Sequence, residues 1–398
     1  MKKQCLYLLI LLLMGCNYSK ENKTISGQVS IEELREATLE EIMEWENDFQ
    51  EDLTLTYSHE IDFPVDSTSR NFSIYSGYYQ DNETGEEFFV NNNEFINSID
   101  FFSIEKEALH YRVLIDKDEF TGLRNISGFY VANRDSIYVY SNNQLKMLLV
   151  DFKGNTVASY SFPATYANKL LTHMFSKFFV KDDVAIINYN SFLPAKFLAD
   201  SLTGATIDLK TNEIKKIGAF FPKSYIDIGY APTFYNPRFN RGQRNSIVTR
   251  LAALPILFKY DTYSDSLKAF VVKSKYHKKV IEPWDGESER AYEYLKGDYY
   301  FTLYDEFRHV YYSVFSLELP IKDPATGLLN DLEDKQMSVI ITDTTFKYRG
   351  EVLLEKDIYF RNMVVVKDGL MISTANANNE SEREDLMGFH LYKLDTIK

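Results

Sequence analysis

Only two cysteines occur in the 398 residues, Cys5 and Cys16, and both sit at the very start of the chain. Whatever folds after them does so without a disulfide and rests on its core alone. Long hydrophobic runs are missing too. The longest, Leu6 to Met14, is far short of the roughly 20 residues that a membrane-spanning helix needs. Positive charge is scarce, with 44 Lys and Arg against 58 Asp and Glu and a formal net charge of −14. That balance argues against a nucleic-acid partner, whose phosphates call for a basic stripe, and against electrostatic docking on anionic lipid. Catalytic signatures are lacking as well: there is no G-x-S-x-G elbow, no G-x-x-x-x-G-K-[ST] loop and no G-x-G-x-x-G. The histidines, His59, His110, His173, His277, His309 and His390, include no i, i+4 pair, so no zincin helix exists. No metal and no cofactor is expected.

What is present begins at the N-terminus. Lys2 and Lys3, the apolar run and the small Gly15 before Cys16 form a secretory signal peptide over residues 1–15. Leu13-Met14-Gly15-Cys16 resembles the lipobox cut by lipoprotein signal peptidase. The resemblance implies that Cys16 becomes the acylated first residue of the mature protein, held to the membrane by its acyl chains. Asn17 is not the aspartate that keeps many such lipoproteins in the inner membrane, so an outer-membrane location is expected, on a side left open. Residues 16–51 read as a lipidated tether followed by a helix. Asn17 to Val29 is polar, and Ser30-x-x-Glu33 looks like a capping box. Ile31, Leu34, Thr38, Ile42, Trp45 and Phe49 then recur at helical spacing, which predicts one acidic amphipathic helix over 31–48.

From Asp52 the period changes. Aromatics make up 15% of the chain, 29 Tyr and 29 Phe, and such residues favour pleated, half-buried surfaces. Residues 124–162 hold four alternating runs: Ile126 to Val131, Ser136 to Tyr140, Gln144 to Asp151 and Thr156 to Phe162. They read as a four-stranded meander. An aspartate turn recurs after each third strand, at Asp151, Asp208, Asp261 and Asp343, the first three about 55 residues apart. Ile104 to Glu107 is a variant of it. Third strands near 96–104, 145–151, 203–209, 254–261, 337–343 and 386–394 give six blades of a β-propeller over 52–398, with insertions at 274–297 and 318–335. The sixth blade lacks a fourth strand, and the orphan run Asp52 to His59 can supply it and remove an exposed edge.

The Gly-Phe-Tyr-Val, Asp-Ser-Ile-Tyr-Val-Tyr and Asp-x-x-Gly-Asn elements of 126–162 resemble those of TolB-like six-bladed propellers. Together with the lipobox, the chain is similar to bacterial lipoproteins grouped as domain-of-unknown-function family 4221, over roughly 52–398. The resemblance implies an all-β, six-bladed propeller behind a signal peptide and a short helix, and it assigns no catalytic residue.

Two features point to a site. Ile228 to Tyr260 carries Arg238, Arg241, Arg244, Arg250 and Lys259 with no acid, interleaved with Tyr235 and Phe239. Arginine among aromatics suits carboxylate, sulfate or phosphate. The dipeptide Arg-Asn recurs at Arg70-Asn71, Arg124-Asn125, Arg244-Asn245 and Arg361-Asn362. Three of these enter the first strands of blades one, two and six, and His173 holds the equivalent place in blade three. Arg70, Arg124, Asn125, His173, Arg238, Arg241, Arg244, Arg361 and Asn362 are therefore expected to converge on one channel mouth as a positive funnel, with Arg238, Arg241 and Arg244 in the connection between blades three and four. The alternative is that each arginine pairs with an acid of the next blade and pins the ring. Acidic clusters at Asp81, Glu83, Glu86 and Glu87 and at Asp331, Glu333 and Asp334 lack calcium-loop spacing and read as solvated loops. The expected role is non-catalytic binding or scaffolding towards an extracytoplasmic protein or a small anionic ligand. The other reading is a hydrolase or lyase acting on an anionic glycan or peptide. A cluster of His, Asp, Glu or Tyr in the channel mouth would separate the two.

Overall fold

In a computed structural model of the protein, the alternating runs pair into six antiparallel sheets set as blades around a central channel. The structure describes residues 27–71, 75–118, 122–189, 197–199, 201–286, 288–356, 358–376, 378 and 383–397, without the side chains of 290, 294, 295 and 359–361. The signal peptide and Cys16 lie outside the described residues.

Blade two shows the pattern, with Gly128–Asn133 innermost, then Ser136–Ser141, Lys146–Val150 and Thr156–Ser161 outermost. Third strands fall where the sequence places them, for example Ser98–Ser103, Leu202–Asp208, Ile256–Asp261 and Met337–Asp343. The repeated aspartate has one local job. Asp208 Oδ1 accepts from the backbone N–H of Lys210 (2.8 Å) and Thr211 (2.9 Å), and Asp261 Oδ1 accepts from Tyr263 (2.9 Å) and Ser264 (3.0 Å). Asp151 and Asp343 do the same two and four residues on. These are Asx-type turns, which explains why the acid recurs where the chain must reverse.

Strand direction alternates within a blade, so every first strand starts at one face, here the entry face. Strands one and two turn at the opposite, exit face, and strands two and three reconnect at the entry face.

The ring closes through the N-terminal strand Leu53–Pro64, which pairs with Leu386–Thr396 from Leu53↔Thr396 to Pro64↔Leu386. Its apolar residues explain the fit. Leu55 joins the core between blades five and six, while Phe63 stacks on Phe89 of blade one at 5.6 Å and meets Phe389 at 5.9 Å. At its start, Arg349 of blade five grips the Asp52 carboxylate with two nitrogens, Nε at 2.8 Å.

Two expectations for the N-terminal segment need correction. The helix over 31–48 is two helices, Ile31–Glu36 and Leu39–Glu44, broken at Ala37, whose φ −66° and ψ 140° are extended. Thr38 starts the second helix with a complete capping box to Glu41, a start signal that the continuous apolar stripe conceals. Gln28 and Val29, assigned to the tether, form a fifth strand on blade four, opposite Phe270 and Ala269. Leu34, Leu39 and Ile42 then bury against the core of blades three and four, among Phe220, Tyr225 and Leu251.

The acidic clusters are not merely solvated loops. Asp81 is buried and accepts from the N–H of Glu83 and Thr84 and from Arg134 Nε of blade two, tying two blades together. Asp331 and Asp334 cap the short helix Leu332–Asp334 within the second insertion.

A chain starting at residue 65 would leave blade six three-stranded and its edge open, losing several kcal/mol of apolar burial at about 25 cal/mol per Å². It should aggregate on expression, and a soluble product of unchanged melting temperature would contradict the closure. Gly350→Ala is a milder probe, because a Cβ there would lie 2.0 Å from the Leu53 carbonyl oxygen. It should cost about 1–3 kcal/mol in a denaturant titration.

Candidate binding site in the central channel

The first strands wall a cavity of about 960 Å³, to which Tyr78, Tyr130, Lys177, Arg241, Tyr304 and Met363 each contribute from a different blade. At the entry face this channel is plugged. The first strand of blade three comes in two pieces, Leu170–Leu171 and Phe179–Lys181, both paired to Val184–Tyr189. The intervening residues 172–178 fold inward across the channel. Phe175 stacks on Phe301 at 5.5 Å and meets Tyr300 at 5.1 Å, both in blade five. Its carbonyl oxygen accepts from Asn240 Nδ2 of blade four at 3.1 Å. Ser176 Oγ donates to the Pro237 carbonyl at 2.9 Å and accepts from the N–H of Phe239 at 3.1 Å. Lys177 Nζ donates to the Ser76 carbonyl of blade one at 2.6 Å. Three other blades therefore hold the plug.

The arginines expected to form one funnel are spread over three places. Arg70 and Arg124 are at the entry face, outside the plug. Arg70 lies 4.0 Å from Glu94 and 4.5 Å from the Phe95 ring centre, and the Arg124 N–H donates to Gln144 Oε1 at 2.7 Å. Asn125 bonds to Ser127 and Ser141 of its own blade. Arg238 and Arg241 belong to the first strand of blade four, Arg238–Arg241, and not to the connection before it. Arg238 is buried beneath the plug, over the rings of Phe175 and Tyr300 and 3.7 Å from the Asp298 carboxylate. Burial and the nearby Arg238 charge push the His173 pKa down to about 3, so this imidazole is neutral. Asn362 is buried and accepts from Ser76 Oγ at 2.5 Å, and the Arg361 side chain lies outside the described residues. Arg241 and Arg244 alone among the described arginines of the set reach the open mouth, at the exit face. Arg244 itself adopts the left-handed conformation there, φ 54°.

Lys177 went unnoticed in the sequence. Nothing in Thr172 to Phe178 marks an excursion, since it lacks Gly and Pro and reads as part of a strand. Burial lowers the Lys177 pKa to about 8. Among the described residues no carboxylate lies within ion-pair distance of Lys177, Arg241 or Arg244. The mouth also carries the pair Tyr304 OH and His309 Nδ1, 3.2 Å apart, with Glu306 beside it. Among the described residues no three His, Cys, Asp or Glu side chains come together in a way that could hold a metal ion.

A closed six-bladed β-propeller with a channel plugged at one end and cationic at the other is the class that fold and site define. The chain belongs to the domain-of-unknown-function family DUF4221, which it matches over residues 48–353. It is similar to a solved DUF4221 member from Bacteroides vulgatus ATCC 8482, with a TM-score of 0.75 and 20% identity, covering 87% of this chain and 100% of that one. A putative exported protein from Bacteroides fragilis NCTC 9343 is more distant, at a TM-score of 0.51 and 10% identity, covering 88% of this chain and 99% of that one. At these identities the likeness bears on fold. Among curated proteins none matches.

The lowered Lys177 pKa has a definite sign. The folded protein gives up this proton near pH 8 and the unfolded chain near 10.5. Between those values the unfolded state binds more protons, so stability rises with pH. Relative to Lys177→Met, the wild type should gain stability from about pH 8 to about 10.5 in thermal melts. A difference that does not change with pH would contradict the buried amine.

Proposed function

We propose that this protein is an outer-membrane lipoprotein whose propeller captures a small anionic ligand, such as an acidic glycan or peptide, in its channel without transforming it. One observation carries the reading: in a chain of net charge −14, three channel cations, Lys177, Arg241 and Arg244, have no ion-pair partner among the described residues. Cations held without a carboxylate beside a half-enclosed cavity attract an anion from outside and bind it with little competition from the protein. Tyr78, Tyr130 and Tyr304 on the neighbouring blades offer ring faces and hydroxyls to a sugar or peptide. The lipobox-like Leu13-Met14-Gly15-Cys16 supports the anchor, and the export described for the Bacteroides fragilis protein is in line with a secretory signal.

Two experiments test the two halves. Cys16→Ser should release the protein from the membrane fraction and abolish fatty-acid labelling, and persistent membrane association of that variant would sink the anchor. For the ligand, calorimetric titration with oligogalacturonate and with an oligoglutamate peptide should show binding of at least one. A charge-assisted hydrogen bond contributes about 1.5–3 kcal/mol, so Arg241→Ala with Arg244→Ala should weaken that binding by roughly a hundredfold or more. The melting temperature should hardly move, since neither guanidinium pins the fold. Failure of the wild type to bind either probe, or equal binding by the double variant, would overturn the assignment.

A further inference from the structure

The channel is open at the exit face and closed by residues 172–178 at the other, so a chain can enter it only end first. Its cations stand at the two ends. Lys177 belongs to the plug, and its Nζ reaches the Ser76 carbonyl, where the first strand of blade one, Ser76–Gln80, begins at the entry face. Arg241 ends the first strand of blade four and Arg244 follows it, and both are exposed at the exit mouth. At about 3.3 Å per residue, the length of Ser76–Gln80 sets the two levels roughly 13 Å apart. Among the described lining residues Glu306 alone is acidic, and it is exposed at the mouth.

The deep end has donors to spare. Lys177 is half-buried, with its Nζ 5.8 Å from the Tyr75 ring centre, and among the described residues the Ser76 carbonyl is the one acceptor it meets. Asn362 comes to the same residue from blade six. It is 2% exposed and accepts from Ser76 Oγ at 2.5 Å, while its own Nδ2 has no acceptor among the described residues. A carboxylate seated beside Ser76 would serve both donors, since its two oxygens accept several hydrogen bonds. The walls between the two levels are strand edges. The first strands of blades one, two, four, five and six each end their sheet, so their channel-side N–H and C=O groups lack a strand partner. A row of backbone donors and acceptors matches a peptide better than a sugar ring.

We propose that the channel takes the C-terminal end of a short acidic peptide. Its α-carboxylate enters first and lies against Lys177 Nζ and Asn362 Nδ2, and an acidic side chain about three or four residues upstream meets Arg241 and Arg244 at the mouth. This rests on the anion capture proposed above and names its ligand. A peptide carries a free α-carboxylate only at its end, and a blind channel offers its deepest donors only to an end. The two features together select termini over internal segments.

Calorimetric titration of the wild-type protein compares three acetylated tetrapeptides. The first is one glutamate followed by three alanines with a free C-terminus, the second is its C-terminal amide, and the third is the free acid with glutamine in place of the glutamate. Amidation should weaken binding by roughly tenfold or more, and glutamine by a similar factor. In Lys177→Met the free acid and the amide should bind alike while the preference for glutamate persists. In Arg241→Ala with Arg244→Ala the reverse should hold. Equal affinity of the wild type for acid and amide would overturn the end-first assignment and leave anion capture standing. Binding of oligogalacturonate but of no tetrapeptide would give the channel to a glycan and contradict the peptide end, again without touching capture. Silence from every probe would overturn both. The acid-against-amide comparison is made on the wild type, so it decides the matter even where Lys177→Met fails to fold.

Discussion

The pairing of Leu53–Pro64 with Leu386–Thr396 is the constraint on which the rest of the molecule depends. Six sheets strung on one chain have two free ends, and each end is an unpaired edge and an open flank of core. Joining the ends in one sheet removes both at once. The strand also serves three blades at a time, because Leu55 packs between blades five and six while Phe63 reaches the phenylalanines of blade one. The route leading to it adds further ties. Asn47 exchanges two hydrogen bonds with the Lys273 backbone, 2.6 and 2.9 Å long, and Asp52 is held by Arg349. A channel with walls on all sides exists only because this circuit is complete.

Within the closed ring the arginines do two different jobs. Arg134 reaches Asp81 of the preceding blade, and Arg308 donates to the carbonyls of Lys367, Val366 and Gly369 in the following one, each bond between 2.7 and 3.0 Å. Arg112 ties Asp100 to Asp66 within blade one and its leading loop. These are pins whose charge is met by acids or backbone carbonyls nearby. Arg241 and Arg244, with Lys177, are met by no carboxylate among the described residues and look into the cavity. Arg241 and Arg244 are exposed at the cavity mouth, so their charge is available to an anion arriving from solution, as the proposed function requires.

Much of the fold is legible in the sequence because it is written in local periods. The alternation of 126–162, the recurring Asx-turn aspartates and the surplus strand at 52–59 are properties of short segments, and they give the blade number, the third strands and the closure. The misreadings have a common cause. Arg70 and Arg244 share a dipeptide, yet one precedes a first strand and the other follows one, and that difference alone sends them to opposite faces. The break at Ala37 is hidden because Thr38 fits both the apolar stripe and a cap. The plug at 172–178 is invisible because its partners, Ser76, Asn240, Pro237 and Phe301, are remote in sequence, and with it Lys177 stays hidden.

Amide hydrogen exchange tests the central claim most directly. If the N-terminal strand completes the ring, its amides can open only when the ring opens. Those of 53–64 should then exchange as slowly as those of Met337–Asp343 in the middle of blade five, with both sets reporting global unfolding. Fast exchange over 53–64 against a protected blade five would mean that the strand is an appendage and the propeller closes without it.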